Sequence, residues 1–333
     1  MSHPIPITHY KINSISPVYA YYNQYLYPNH EEEYSKNEIK YGKVNRYRII
    51  SIIGSGKYSI VFAGNCSKGF CAIKVLKNVV FQKVQKEIYL LQRLQGPNVV
   101  KLYDVIRDEL TGTISIVTEY FHSESARKIY PIFSIEEIRY YIYMIIITMD
   151  SCHAKGVMHR DIKPGNVLIN IRKNQISIID WGLADLYYPM KQYSVRVSTM
   201  RYKAPELLLN YHFYDYAVDV WGIGCIMAEM MFGIGFIKGS IYEEVLASIT
   251  KLWGKDEIHK YIDKYGLEVP DTYWPYIDQY DKPTWDEAIE MIREDIRDDL
   301  AIDLMKKLLT VDHGERITCR DALHHPFFDV YYK

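Results

Sequence analysis

His159-Arg160-Asp161-Ile162-Lys163-Pro164-Gly165-Asn166 is the stretch on which the reading of this chain turns. It follows a long apolar run and precedes the β-branched Val167–Ile169. Asp161 can accept the proton of an attacking hydroxyl. Lys163 can neutralise a terminal phosphate, and the Asn166 amide can ligate magnesium. Base assistance of this kind is worth roughly 10²–10⁴ in rate. Downstream, Asp180-Trp181-Gly182 ends the apolar strand Ile176–Ile179, where Asp180 suits a second magnesium contact. Ala204-Pro205-Glu206 comes later, with Glu206 expected to pair with Arg316, and Asp219 in Asp219-Val220-Trp221 is expected to anchor the backbone around Asp161.

Upstream, Gly54-Ser55-Gly56-Lys57-Tyr58-Ser59 lies between two strand-like runs. Glycines there let backbone approach phosphate oxygens with no Cβ in the way. A dinucleotide-binding loop would open a helix next, and this one does not; a plain hairpin turn is the other reading. Lys74, in Cys71-Ala72-Ile73-Lys74, places a charge inside an apolar strand, so it needs a partner. Glu87, thirteen residues on, is a candidate on the next helix. The pair could hold an ammonium against phosphates, or be a surface ion pair worth about 0–1 kcal/mol.

The rest of the pattern supplies the frame. Tyr47–Ile53, Ile60–Ala63, Phe70–Leu76, Val99–Ile106 and Ile114–Tyr120 read as strands of an antiparallel meander. Gln82–Leu94 has helical apolar spacing. Ser134 and Glu137 form a capping box that opens a helix to about Ala154. Asp215–Phe232, Trp285–Leu309 and Thr318–Leu323 continue as helices, the last capped by Thr318 with Asp321. The expected division is an extension over 1–46, a sheet-rich part over 47–121 and a helix-rich part over 122–333, hinged at Tyr120–Ser125.

Composition excludes several classes. The net charge of −1 over 333 residues argues against a basic nucleic-acid sleeve. Five scattered cysteines with no C-x-x-C pair give neither a disulfide framework nor a zinc site, and suit a reducing interior. Met1–Tyr10 carries prolines and histidines where a signal peptide needs an apolar core. Tyr140–Met149, the most apolar stretch, reaches about half a membrane crossing and reads as a buried helix.

In this order and at these spacings the residues resemble the signature of the protein kinases, over roughly Val18 to Phe328. Trp181, the run Arg139-Tyr140-Tyr141-Ile142-Tyr143, Val195-Arg196-Val197 and Val18-Tyr19-Ala20 narrow the resemblance to the catalytic alpha subunit of casein kinase II, in the CMGC group. The resemblance implies an α+β, bilobal protein-kinase fold: a small antiparallel β-sheet lobe with one main helix, and a large mainly α-helical lobe. It implies transfer of the γ-phosphate of ATP, with Mg2+, to protein Ser/Thr hydroxyls in acidic contexts, and GTP use is left open. Asp161 and Lys163 would be catalytic, the lysine favouring Ser/Thr over Tyr. Ile53, Gly54, Ser55, Gly56, Ser59, Val61, Ala72, Lys74, Glu87, Glu119, Phe121 and Leu168 would hold the nucleotide, and Asn166 and Asp180 the metal. Arg196 and Lys203 would meet substrate. The segment Val18–Asn29 would hold the activation segment active without phosphorylation. A dimeric regulatory beta subunit would dock on an apolar patch including Tyr47, Ile49 and Phe62, giving a heterotetramer. Cytoplasm or nucleus is the expected location, with no nucleic-acid or membrane partner.

The chain also departs from that family. Ser59 stands at the third loop glycine, and Met200 where an arginine belongs, beside Arg201. Val79-Val80-Phe81-Gln82-Lys83-Val84-Gln85-Lys86 has two positive charges where the family has a run of lysines. Fewer charges weaken attraction of acidic peptides. A kinase-fold scaffold without activity, or a cyclin-dependent type of kinase, are the alternatives. Thr118 stands where the family has a bulky aromatic and Ala72 where it has a branched aliphatic, and the expected result is a wider nucleotide pocket. The wild-type chain should therefore accept an inhibitor reaching behind the nucleotide that Thr118→Phe excludes. Equal inhibition of the two proteins counts against the widened pocket.

Overall fold

β-branched and aromatic residues alternating across short runs form one sheet. The computed structural model describes residues 14–26, 34 and 38–332. The chain divides into two units: Tyr22–Ser125 with Gly165–Asp185, and Met1–Tyr21 with Ala126–Pro164 and Leu186–Lys333. In the first, β1 (Arg48–Ser55), β2 (Ser59–Cys66), β3 (Gly69–Leu76), β4 (Leu102–Arg107) and β5 (Ile114–Glu119) pair antiparallel in the order β1-β2-β3-β5-β4. Register puts Val61 opposite Lys74 and Ala72 opposite Thr118. Side chains alternate between the faces of a strand. Cys71, Ile73, Ile106 and Val117 therefore share a core with Phe62 and Tyr47, while Lys74 and Ala72 face the other way.

Helix α1 (Phe81–Arg93) packs its apolar stripe, Val84, Ile88 and Leu91, inward and buries Glu87 with it. A second hairpin, β6 (Val167–Asn170) with β7 (Gln175–Ile178), joins this unit through a bridge from Val99 to Ile178 and the hydrogen bond from Glu124 N–H to the Ile169 carbonyl. The expected strand Val99–Ile106 begins only at Leu102, because Val99 and Val100 are bonded to this hairpin instead.

The second unit is helical. α2 (Ile135–Ala154) opens on the expected capping box, Ser134 accepting from the Glu137 N–H and Glu137 accepting from the Ser134 N–H. α3 (Ala217–Phe232) is apolar around its circumference apart from Asp219 and Glu229, and is buried along nearly its whole length. α4 (Tyr242–Trp253), α5 (Lys255–Tyr265) and α6 (Asp299–Leu308) surround that core, and Tyr130, Tyr141, Tyr211, Tyr261 and Tyr265 fill it. No helix among the described residues is long and apolar enough to cross a membrane. The expected helix Trp285–Leu309 is broken. Its first part ends at Glu290, Arg293 and Arg297 turn extended, and the Asp298 carboxylate accepts the Ala301 N–H at 2.8 Å to start α6 afresh. A capping aspartate overrides the continuous apolar pattern there.

The deepest ion pair in this unit is the expected one. Arg316 donates to both oxygens of Glu206 at 2.8 and 3.0 Å, with both side chains fully buried. Arg316 also donates to the carbonyls of Ala217, Thr310 and Val311. Removing one partner strands the other charge in a medium that cannot solvate it. Arg316→Ala should cost about 3–5 kcal/mol of stability in chemical denaturation; a loss below about 1 kcal/mol would mean water reaches Glu206.

Candidate active site

Within the first unit the strand register and α1 converge on one ammonium. Lys74 Nζ donates to Glu87 Oε1 at 2.7 Å and to Asp180 Oδ1 at 2.7 Å. Burial alone would push this amine's pKa down, but the two carboxylates outweigh it and hold it well above the ordinary lysine range. Asp180 reaches the ammonium from a left-handed backbone, φ 59°, a conformation most side chains avoid. Gly182 follows so closely that a Cβ would sit 3.1 Å from Glu87 Oε2 and 3.3 Å from Lys74 Nζ. A side chain there would crowd the pair.

These groups line a cavity of about 650 Å³. All the residues expected at the nucleotide are on its wall: Ile53, Gly54, Ser55, Gly56, Ser59, Val61, Ala72, Lys74, Glu87, Glu119, Phe121 and Leu168. Asn166 and Asp180, expected at the metal, are there as well. The glycine-bearing loop closes as a turn in which Gly56 N–H donates to the Ser59 carbonyl. Thr118 also lines the cavity, with Leu91, Val100, Ile116 and Ile179, which sequence reasoning did not single out. They are ordinary apolar positions of strand and helix, and only the tertiary arrangement distinguishes them.

The second unit assembles a different group. Asp161 Oδ2 accepts from Lys163 Nζ at 2.7 Å, and Oδ1 accepts from the N–H and the hydroxyl of Thr199, both at 2.8 Å. Lys163 also donates to Thr199 Oγ1 at 2.5 Å. A carboxylate that accepts and an ammonium that donates can thus hold one hydroxyl between them. Thr199 was not foreseen, since it lies thirty-eight residues from Asp161. The loop carrying Asp161 is fixed from beneath. Asp219, fully buried on α3, accepts from the N–H groups of His159 (2.8 Å) and Arg160 (2.7 Å), the latter at φ 65°. Gly222, one turn on, lies so near that a Cβ would meet the Ile162 carbonyl at 2.7 Å.

In the same unit the extension meets the segment that follows Asp180. Val18, Tyr19 and Ala20 pack on a cluster that includes Tyr187, Tyr193, Val195, Val197 and Tyr216. Ser16 N–H donates to the Tyr187 hydroxyl at 2.9 Å, and Tyr19 donates to Asp150 at 3.0 Å. Further along, in the first unit, Arg93 donates to Asn23 Oδ1 at 2.7 Å and lies over the Tyr22 ring. The end of the expected segment Val18–Asn29, from residue 27 on, lies outside the described residues.

The two expected substrate cations part company. Arg196 is exposed. Lys203 is buried, 3% exposed, and donates to the carbonyls of Val195 and Val197. Burial draws its pKa down to about 8. Its ammonium is turned inward to tie the segment together, which differs from the expectation of a substrate contact; a lysine with unpaired carbonyls in reach satisfies them first. Arg201, beside Met200, donates to the Gly239 carbonyl at 3.3 Å.

The geometry agrees with comparisons to known proteins. A family model described as the protein kinase domain matches residues 47–328. Among curated proteins, casein kinase II subunit alpha' of Saccharomyces cerevisiae is 40% identical over 294 residues, covering 87% of this chain and 86% of that protein. A match of that extent, with the sheet, the helical unit and the lysine between two carboxylates all present, admits one assignment: the chain belongs to the protein kinase family, as a serine/threonine protein kinase of the casein kinase II alpha type.

Proposed function

We propose that this kinase transfers the γ-phosphate of magnesium-bound ATP to Ser/Thr hydroxyls in acidic sequence contexts, without phosphorylation of its own activation segment. The observation that carries the reading is the Lys74 ammonium, held at 2.7 Å by both Glu87 and Asp180 on the cavity wall. A fixed cation beside a glycine-bearing turn fits a triphosphate. The donor set fits magnesium too: an Asp180 carboxylate and an Asn166 amide are hard oxygen ligands. Two protein ligands suit an ion that completes its shell with phosphate and water rather than with a protein cage. When bound, the ion draws charge off the phosphate oxygens.

In this reading Lys74 orients the phosphates and Glu87 orients Lys74. The incoming hydroxyl gives its proton to Asp161 as its oxygen bonds to phosphorus and the bond to the departing diphosphate breaks. Lys163 steadies the charge on the transferred group. The contacts of Ser16, Val18 and Tyr19 with the 187–216 cluster support activity without phosphorylation, since packing does what a phosphate would otherwise do. Preference for acidic substrates rests on Arg196, with Lys203 buried and Met200 uncharged. A beta-type subunit is the partner reading for the outer sheet face. Ile49 is exposed there, whereas Tyr47 and Phe62 pack against the chain's own core. A pull-down with a beta subunit from the same source tests it, and no capture excludes it.

The purified, unphosphorylated chain should phosphorylate an acidic Ser peptide with magnesium-ATP; no transfer would overturn the reading. Asp161→Asn should lower kcat by roughly 10²–10⁴ with little change in KM for ATP. Arg196→Ala should lower kcat/KM for acidic peptides by about tenfold while leaving a neutral peptide within about twofold. Equal losses on both peptides would assign Arg196 elsewhere.

A further inference from the structure

The stretch Val79–Lys86 keeps two positive charges, and family resemblance would hand both to acidic substrates. The structure assigns one of them another task. Lys86 Nζ lies 2.9 Å from Asp185 Oδ2, with only 18% and 15% of the two side chains exposed. Lys86 and Glu87 are neighbours on α1, about 100° apart around its axis. Glu87 reaches Lys74, and through it Asp180, at one end of a six-residue segment; Lys86 reaches Asp185 at the other end. Between them Trp181 is buried, with its ring N–H on the Ile178 carbonyl, and a Cβ added to Gly182 would lie 3.1 Å from Glu87 Oε2.

We infer that Lys86 and Asp185 are a positioning pair for phosphoryl transfer, fixing the register of α1 on the Asp180–Asp185 segment so that Glu87 and Asp180 meet Lys74 together. The inference rests on the proposed roles of those three residues. The apolar packing of Val84, Ile88 and Leu91 is non-directional, so with one ion pair alone α1 can still turn or slide slightly against the segment. Two pairs at opposite ends of a short segment remove both freedoms. Packed helices move between discrete arrangements rather than deforming smoothly, so loss of the second attachment lets α1 visit registers in which Lys74 has lost a carboxylate. Lys86 touches neither nucleotide nor acceptor in this account. Its effect travels through Glu87.

The test measures kcat and KM for ATP and for acidic and neutral acceptor peptides, with thermal unfolding, on the full chain. The variants are Lys86→Met, Asp185→Asn, the double variant, and the reversed pair Lys86→Asp with Asp185→Lys. Each single variant should lower kcat by about tenfold, leave both acceptor KM values within about twofold, and unfold within a few degrees of wild type. The double variant should be no slower than the slower single, because both remove one interaction. The reversed pair should recover most of the loss. Single variants within about twofold of wild-type kcat overturn the inference. So do losses that multiply in the double variant, or losses that follow unfolding temperature with no recovery on reversal. A KM rise confined to acidic peptides would make Lys86 a substrate contact instead. Absence of transfer by the wild-type chain is a separate result, and sinks the functional reading itself.

Discussion

A lysine ammonium inside a sheet is tolerable only when carboxylates surround it, and Lys74 has two. That requirement explains much of the first unit. Glu87 must be buried on a helix that otherwise shows an apolar stripe, so α1 has to dock with that face on the sheet. Asp180 must leave regular backbone to reach the same nitrogen, and any side chain on the residue after Trp181 would crowd the Lys74–Glu87 pair. An amine so placed stays protonated at any physiological pH, which is what a site for a polyanion needs. The strain at Asp180 is held by the contacts around it rather than relieved by them.

The second unit meets a comparable constraint with buried carboxylates under loops. Asp219 has no solvent and accepts from two successive backbone N–H groups and from His153. It therefore fixes the backbone that presents Asp161, although it is far too buried to touch any substrate. Glu206 and Arg316 do the same for the end of the activation segment, and Arg316 reaches three carbonyls besides. Reactive groups here stand on a polar scaffold that the apolar α3 carries into the core. Such a scaffold resists rearrangement because its buried donors and acceptors cannot exchange their partners for water.

At two lysines the tertiary structure changes the meaning of the residues. Lys203 and Lys86 look, as letters, like surface cations awaiting an acidic peptide. One closes carbonyls of its own segment and the other pairs with Asp185. Lys86, neutralised by Asp185, contributes little to attraction of a distant substrate, while Lys203 keeps its charge but is too buried to meet a substrate directly. Arg196 is left as the exposed cation among the expected substrate contacts.

The sequence by itself determined most of the elements and the residue types at the site. Strand runs, the capping box of Ser134, the caps at Thr318 and the pairing of Glu206 with Arg316 follow from local spacing or from a charge that had to be satisfied. So does the inward lysine in β3, because a charge in an apolar strand announces its own need. Only the tertiary structure decided the break before Asp298, the transfer of Val99 and Val100 to the second hairpin, and the place of Thr199 beside Asp161. Sequence spacing carries no information about which distant backbone competes for a hydrogen bond, nor about whether a lysine's nearest acceptor is its own chain. Those outcomes depend on what else folding brings within about 3 Å.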